Sequence, residues 1–188
     1  MRKLKLQMQL SIDGFVAGPN GEMDWMEWNW DDGIKEFVNQ LTEPVDTIIL
    51  GRNLATGFVP HWTTALENPD TNDAFTQKMV NTPKVVFTRT LEENPWANTR
   101  LANGKLTEEI LAIKQQEGHD IITYGGATLA AALIQEQLID DLYLFINPSA
   151  IGTGMRIFTD RTPLVLQRSV AFSCGIVVHH YSPKTLKI

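Results

Sequence analysis

The chain has 188 residues, 43% of them hydrophobic, with a formal net charge of −6 and a pI near 5.2. That length and apolar content suit one compact domain with a real core, and the acidic balance points away from nucleic-acid or anionic-membrane partners. The lone cysteine, Cys174, excludes an intramolecular disulfide and a cysteine metal cluster and suits a reducing compartment. No apolar run approaches the roughly 18 residues of a membrane helix. The first residues alternate instead of forming the apolar block of a signal peptide, so the expected location is the cytoplasm.

Residues 2–12 repeat with period two, the pattern of a half-buried strand. Ile34, Phe37, Val38 and Leu41 have the i, i+3, i+4, i+7 spacing of a core-facing helix, with Asp31 or Asp32 to cap it. "TIILGR" (47–52), "KVVFTRT" (84–90) and "DIITYGG" (120–126) are short apolar or β-branched runs that read as buried, parallel strands. Residues 70–81 carry a weaker helical pattern. A further helix is expected over 107–117, with Thr107 as cap, Glu108 and Glu109 at its positive end and Gly118 as its stop. Another runs from Ala127 to about Gln137. "DDLYLFINPSAIG" is a strand, and "VLQRSVAFSCGIVVHHYSP" is two strands around a turn near Ser173–Gly175. The expectation is a single α/β domain over 1–188. Its sheet is mixed and mostly parallel, flanked by helices on both faces and closed by an antiparallel hairpin.

Ligands of such sheets gather at the carboxyl ends of the strands. Gly51–Arg52, Thr88–Arg89 and Gly125–Gly126 each follow a separate strand, so they share one rim. Two guanidinium groups beside a helix N-terminus suit phosphate oxygens, which makes a dinucleotide phosphate the natural ligand. The G-x-G-x-x-G fingerprint is absent after the first strand, and "GTGMRI" (152–157) does not complete it. Gly125 and Gly126 have two readings, a plain turn or a close approach of backbone to ligand. Asp13 precedes Gly14, so it is either a turn residue or a functional carboxylate. Glu22 and Asp24 are a nominal carboxylate pair supported by proximity alone. Trp25, Trp28 and Trp30 crowd one loop as packing or as a stacking wall, with Trp25 the choice for the wall. His179 and His180 are adjacent on a strand and face opposite ways, so no metal site is expected.

"QLSIDGFVAGPNGEMDW", followed in order by "TIILGR", "VVFTRT" and "DIITYGGATLAAALIQEQLIDDLYLFINPSAIGTGMRIF", resembles the dihydrofolate reductase-like fold across nearly the whole chain. The similarity is to the reductase domain of riboflavin biosynthesis (the RibD C-terminal type) and its stand-alone bacterial relatives. The resemblance implies an NADPH-dependent reductase of a pyrimidine- or pterin-like heterocycle, specifically one acting on 5-amino-6-(5-phosphoribosylamino)uracil, and a homodimer. It places Gly51 and Arg52 near the phosphates, and Thr88 and Arg89 at the adenosine 2′-phosphate. Tyr124, Gly125, Gly126, Ala127, Thr128 and Leu129 would line the diphosphate, and Val16 and Ala17 would lie beside the nicotinamide. It also implies a cis bond between the paired glycines. Leu54 stands where the family often has Thr. The carboxylate of true dihydrofolate reductases falls near Gly33, with Asp32 one residue off. Asp13 and Asp32 are therefore the candidate catalytic carboxylates. Dihydrofolate reduction and nucleotide binding without catalysis are the alternatives.

Overall fold

Apolar runs without polar alternation are stable only where a sheet is covered on both faces. The computed structural model, which describes residues 1–184, puts them there. β1 (Leu4–Leu10), β2 (Val45–Gly51), β3 (Lys84–Phe87), β4 (Thr99–Ala102), β5 (Asp120–Thr123), β6 (Asp141–Ile146), β7 (Leu164–Ala171) and β8 (Val177–Pro183) form one sheet. Its order is β4-β3-β2-β5-β1-β6-β8-β7, with every pairing parallel except β6–β8 and β8–β7. Among the described residues five helices connect it: α1 (Asp32–Thr42), α2 (Arg52–Glu67), α3 (Ala74–Asn81), α4 (Leu106–Gln115) and α5 (Ala127–Gln135). This is the expected α/β fold, with the antiparallel hairpin closing one edge.

Strand alternation sorts the core into two layers. Leu4, Leu6, Met8 and Leu10 pack with Ile110 and Ile113 of α4 and with Ala130, Leu133 and Ile134 of α5. On the other face Ile48, Leu50 and Ile122 pack under Ala55 and Val59 of α2 and Met79 of α3. Ile34 and Val38 of α1 meet Phe145 and Val178 there. So α1 to α3 cover one face, and α4 and α5 the other.

Several local expectations change. β1 is buried on both faces, because α1 covers the side that its polar residues occupy; Lys5 survives there by pairing with Asp120 (2.7 Å) and donating to the Leu41 carbonyl (3.1 Å). α1 is capped by Asp31, not Asp32. α3 starts only at Ala74, where the Asp73 carboxylate accepts from the Thr76 amide. The helix predicted over 107–117 is α4, which starts at Leu106 and ends at Gln115; Thr107 donates sideways to Glu136 (3.2 Å) instead of capping. β3 and β5 stop at Phe87 and Thr123, leaving Thr88–Arg89 and Tyr124–Gly126 in the turns beyond. α5 ends at Gln135, because Gln137 has a positive φ of 54°. Two elements are additional: α2, which tolerates Gly57 and Pro60, and the edge strand β4. No described helix is long and apolar enough to cross a membrane.

Candidate functional site

β5 lies between β2 and β1. The chain leaves β1 and β2 for the α1–α3 face but leaves β5 for α5 on the other face. Both flanks of β5 are therefore points where outgoing connections part, and such crevices at the carboxyl ends of strands are where open α/β sheets bind ligands. Gly51, Gly125 and Gly126 meet there. The Gly51 amide donates to the Gly125 carbonyl (3.1 Å), and a Cβ on Gly51 would stand 3.5 Å from Leu129 Cβ. Gly125 has φ +96°, which strains any L side chain, and an added Cβ would stand 2.5 Å from Met8 Cε, so glycine is favoured here. The Gly125–Gly126 peptide bond is cis.

The helices that begin at this rim differ from the others. The first amides of an α-helix lack intrahelical partners, and side-chain caps usually meet them. In α1 the Asp31 carboxylate accepts from Ile34 N (2.9 Å), and in α3 Asp73 does the same for Thr76 N (2.8 Å). α4 has no side-chain cap but carries Glu108 and Glu109 in its first turn. α2 and α5 begin at Gly51 and Gly126, with neither a side-chain cap nor an acidic residue in the first turn. Their amides, including those at Ala127, Thr128 and Leu129, meet no side-chain carboxylate and keep the positive ends of two helices open at one rim.

The arginines sit beside these ends. Arg52, the first residue of α2, donates to Thr90 Oγ1 (2.7 Å) and to Asn53 Oδ1 (2.9 Å), which ties it to the turn after β3. Thr88 is buried, and its hydroxyl accepts from the amides of Thr90 (3.2 Å) and Leu91 (3.1 Å), so it shapes that turn. Arg89 is exposed on the turn, with no ion pair among the described residues. Leu54 packs into the α2 core. Tyr124 turns away from the rim: its ring stacks on Phe58 (5.3 Å between centroids), its hydroxyl reaches Met79 Sδ (3.5 Å), and burial raises its pKa.

Val16 and Ala17 are buried at the end of β1, where Val16 N donates to the Met155 carbonyl (2.9 Å) and Met155 N to the Ala17 carbonyl (2.8 Å). Asp13 braces the same segment. Its carboxylate accepts from Ser11 Oγ (2.6 Å), Gly152 N (2.7 Å) and Ile151 N (3.2 Å), and the Ser11 hydroxyl with those amides brings its pKa down to about 2. A carboxylate held ionised by three donors is an anchor for the loop after β6, not a proton donor. Asp32 leaves the site altogether: its side chain is fully exposed and its nearest partner is Lys35 at 3.9 Å. Asp31 is also occupied, receiving Ser173 Oγ (2.6 Å) and Cys174 N (3.0 Å) besides its own helix, and these bonds, led by Ser173, lower its pKa to about 2. Trp25 is half-buried and donates to the Glu22 carbonyl (3.1 Å). Glu22 closes a turn on Asn20 (2.7 and 2.9 Å), which gives that carboxylate a local role. His180 binds Asp141 at 2.8 Å.

Two residues at the rim escaped the sequence reading. The β1–β5 ladder ends at the pair Leu6–Thr123, so Gln7 is the first β1 residue beyond it, facing the α1–α3 side. Gln7 is buried, and its Oε1 has no hydrogen-bond partner among the described residues. Asn147, beyond β6, is fully buried and links β1 to the loop bearing the tryptophans. Two concave spaces lie elsewhere. A cavity of about 210 Å³ between α1 and the hairpin is lined by Tyr143, Arg168 and His180. A wider hollow of about 530 Å³ lies at the amino ends of the strands, by Arg2 and Lys114. Neither touches Gly51, Gly125 or Gly126, and topology with open helix ends makes the rim the better candidate.

A mixed, mostly parallel sheet with this rim defines a dihydrofolate reductase-like domain. The chain belongs to the RibD C-terminal domain family, whose match spans residues 2–178. It is 34% identical over 190 residues to the uncharacterized protein YyaP of Bacillus subtilis (strain 168), covering 96% of each chain. It is 26% identical to YwjB of the same organism, covering 95% of this chain and 97% of that one. Among solved structures it resembles a putative riboflavin biosynthesis protein from Shewanella sp. PV-4 (TM-score 0.73, 22% identity, 97% of this chain and 99% of that one). It also resembles the Thermotoga maritima diaminohydroxyphosphoribosylaminopyrimidine deaminase/5-amino-6-(5-phosphoribosylamino)uracil reductase (TM-score 0.69, 15% identity, 97% of this chain and 57% of that one).

Proposed function

We propose that the protein is an NADPH-dependent reductase of a small pyrimidine- or pterin-like heterocycle, with 5-amino-6-(5-phosphoribosylamino)uracil as the specific candidate. The observation that carries this reading is the pair of helix starts at Gly51 and Gly126, at the ends of the adjacent strands β2 and β5, with no side-chain cap and no acidic residue in either first turn. The residues present fit the nucleotide. The amides of α2 and α5 would hold its diphosphate, and Arg89 with Thr88 would meet a 2′-phosphate beside the Arg52 guanidinium. Val16 and Ala17 would flank the nicotinamide, which supplies hydride when bound.

Gln7 favours a substrate that carries a ring N–H. Its Oε1 is an enclosed acceptor without a donor among the described residues, which costs about 1–3 kcal/mol, and the ring N–H of a pyrimidine or pterin would supply that donor. Within the site the chain's own residues position and bind; Asp13 anchors the loop that carries Met155 against Val16 and Ala17.

A nucleotide-binding role without turnover has one observation in its favour, that neither Asp13 nor Asp32 is placed to give a proton. The same fact speaks against dihydrofolate as substrate. The deciding experiment incubates the protein with NADPH and a panel of pyrimidines and pterins, and follows oxidation of the cofactor. Turnover on a pyrimidine, lost in Gln7→Leu while cofactor binding is kept, is expected. Tight NADPH binding with no turnover on any member would replace the reductase with the binding module.

A further inference from the structure

The segment from Gly18 to Asp31 folds mostly on itself: Gly18 N donates to the Glu22 carbonyl (2.9 Å), and Trp25 and Trp30 indoles donate to the carbonyls of Glu22 and Glu27. One hydrogen bond among the described residues ties 19–30 to the sheet. The Glu27 amide donates to Asn147 Oδ1 at 2.8 Å. Asn147 Nδ2 in turn donates to Gln9 Oε1 (2.8 Å) and to the Phe145 carbonyl (3.2 Å), so one carboxamide joins the loop, β1 and β6. Its own amide continues the ladder to the Leu10 carbonyl (2.8 Å).

A polar side chain with no exposed surface is retained only when its partners are met, and an apolar residue would fill the same space beside Phe145 at lower cost. Local strand pairing does not need the Asn147 side chain, since the backbone already makes that bond. What the side chain adds is the bond to Gln9 within the sheet and, beyond the sheet, the tether on Glu27. Trp30, three residues on, stacks on Phe145 (6.2 Å), and Trp28 stacks on Trp30 (6.2 Å) while remaining 61% exposed. The tether therefore fixes an aromatic column above the β1 and β6 ends, on the face that Gln7 and Gln9 occupy.

We infer that Asn147 is a positioning residue. It holds the tryptophan-bearing loop as one wall of the heterocycle site, on the opposite side of β1 from the glycine rim. For its substrate arm this rests on the reductase reading; for its structural arm it does not. Hydrogen exchange separates the two. The Glu27 amide of the unmodified protein should exchange slowly, unlike the exposed amides around it. In Asn147→Ala, exchange of 22–30 should accelerate by about tenfold or more while β1 and β6 stay protected. Asn147→Asp keeps the acceptor for Glu27 but loses the donors to Gln9 and Phe145, so protection at Glu27 should persist better than in the alanine variant.

With NADPH and a turned-over heterocycle, Asn147→Ala should raise the heterocycle KM by about tenfold, with kcat and the NADPH Kd within about twofold. A fast-exchanging Glu27 in the unmodified protein, or unchanged exchange of 22–30 in Asn147→Ala, would overturn the inference. So would equal losses of NADPH and heterocycle binding with the loop freed. If the unmodified protein turns over no heterocycle, the reductase reading fails, and the exchange arm still decides whether Asn147 is the tether.

Discussion

α1 and α3 begin with an aspartate on the first-turn amides, whereas α2 and α5 begin with a glycine and nothing. The first pair are closed by their own sequence and serve packing, Asp31 even reaching across to the β7–β8 turn through Ser173 and Cys174. The second pair start at the ends of the adjacent strands β2 and β5, where the connections diverge to opposite faces, and their first-turn amides meet no side-chain cap among the described residues. The contrast teaches that the absence of a cap is informative only by position. α4 also lacks a side-chain cap, but its first turn holds two glutamates and it starts away from the glycines.

Supplying the missing cap should have the largest effect. A Cβ on Gly126 meets nothing within 4 Å, so Gly126→Asp has room to place a carboxylate on the α5 amides. Loss of NADPH affinity by about a hundredfold or more is expected from repulsion and the occupied amides, with the melting temperature held or raised. Unchanged affinity would break the comparison. Next, Arg89→Ala should weaken NADPH by about 10–100-fold and NADH by about threefold at most, since under the proposed function it would remove a charge-assisted contact to the 2′-phosphate alone. Removing a cap where one exists should do the reverse. Asp73→Ala should lower stability by about 1 kcal/mol in denaturant unfolding and leave NADPH binding unchanged.

The smallest effect is on acid stability. The pKa of Asp31 is lowered to about 2, so its contribution is present above the ordinary carboxylate pKa of 3.8 and is lost as pH falls from there toward 2. Asp31→Asn should therefore flatten that limb of the pH–stability curve, read as melting temperature against pH.

The central strands were legible because burial on both faces demands unbroken apolar runs such as "TIILG" and "DIIT". α2 was not, since Gly57 and Pro60 read as breakers and tertiary packing of Ala55 and Val59 overrides them. β4 is an edge strand whose "TRLA" is mostly exposed or half-buried, so it lacks the apolar run that marks the equally short β3 and β5. At the candidate site, the gathering of Gly51, Gly125 and Gly126 at one rim could be read because each follows a strand of the same parallel sheet. Tyr124 and Asp32 could not, since a strand turn and a helix start decide where their side chains point. Gln7 and Asn147 were hidden for a related reason. Inside strand patterns they look like ordinary polar positions, and only helices on both faces make them buried; Asn147 just before Pro148, in an otherwise apolar run, was the signal available.

The most direct test is a titration of the purified protein with NADPH and, separately, NADH, following tryptophan quenching and energy transfer to the reduced nicotinamide. Saturable binding that prefers NADPH, with the preference abolished in Arg89→Ala, is the predicted result. No saturation by either nucleotide at about millimolar concentration, the weak end of specific affinity, would contradict the claim that the open ends of α2 and α5 are a dinucleotide site.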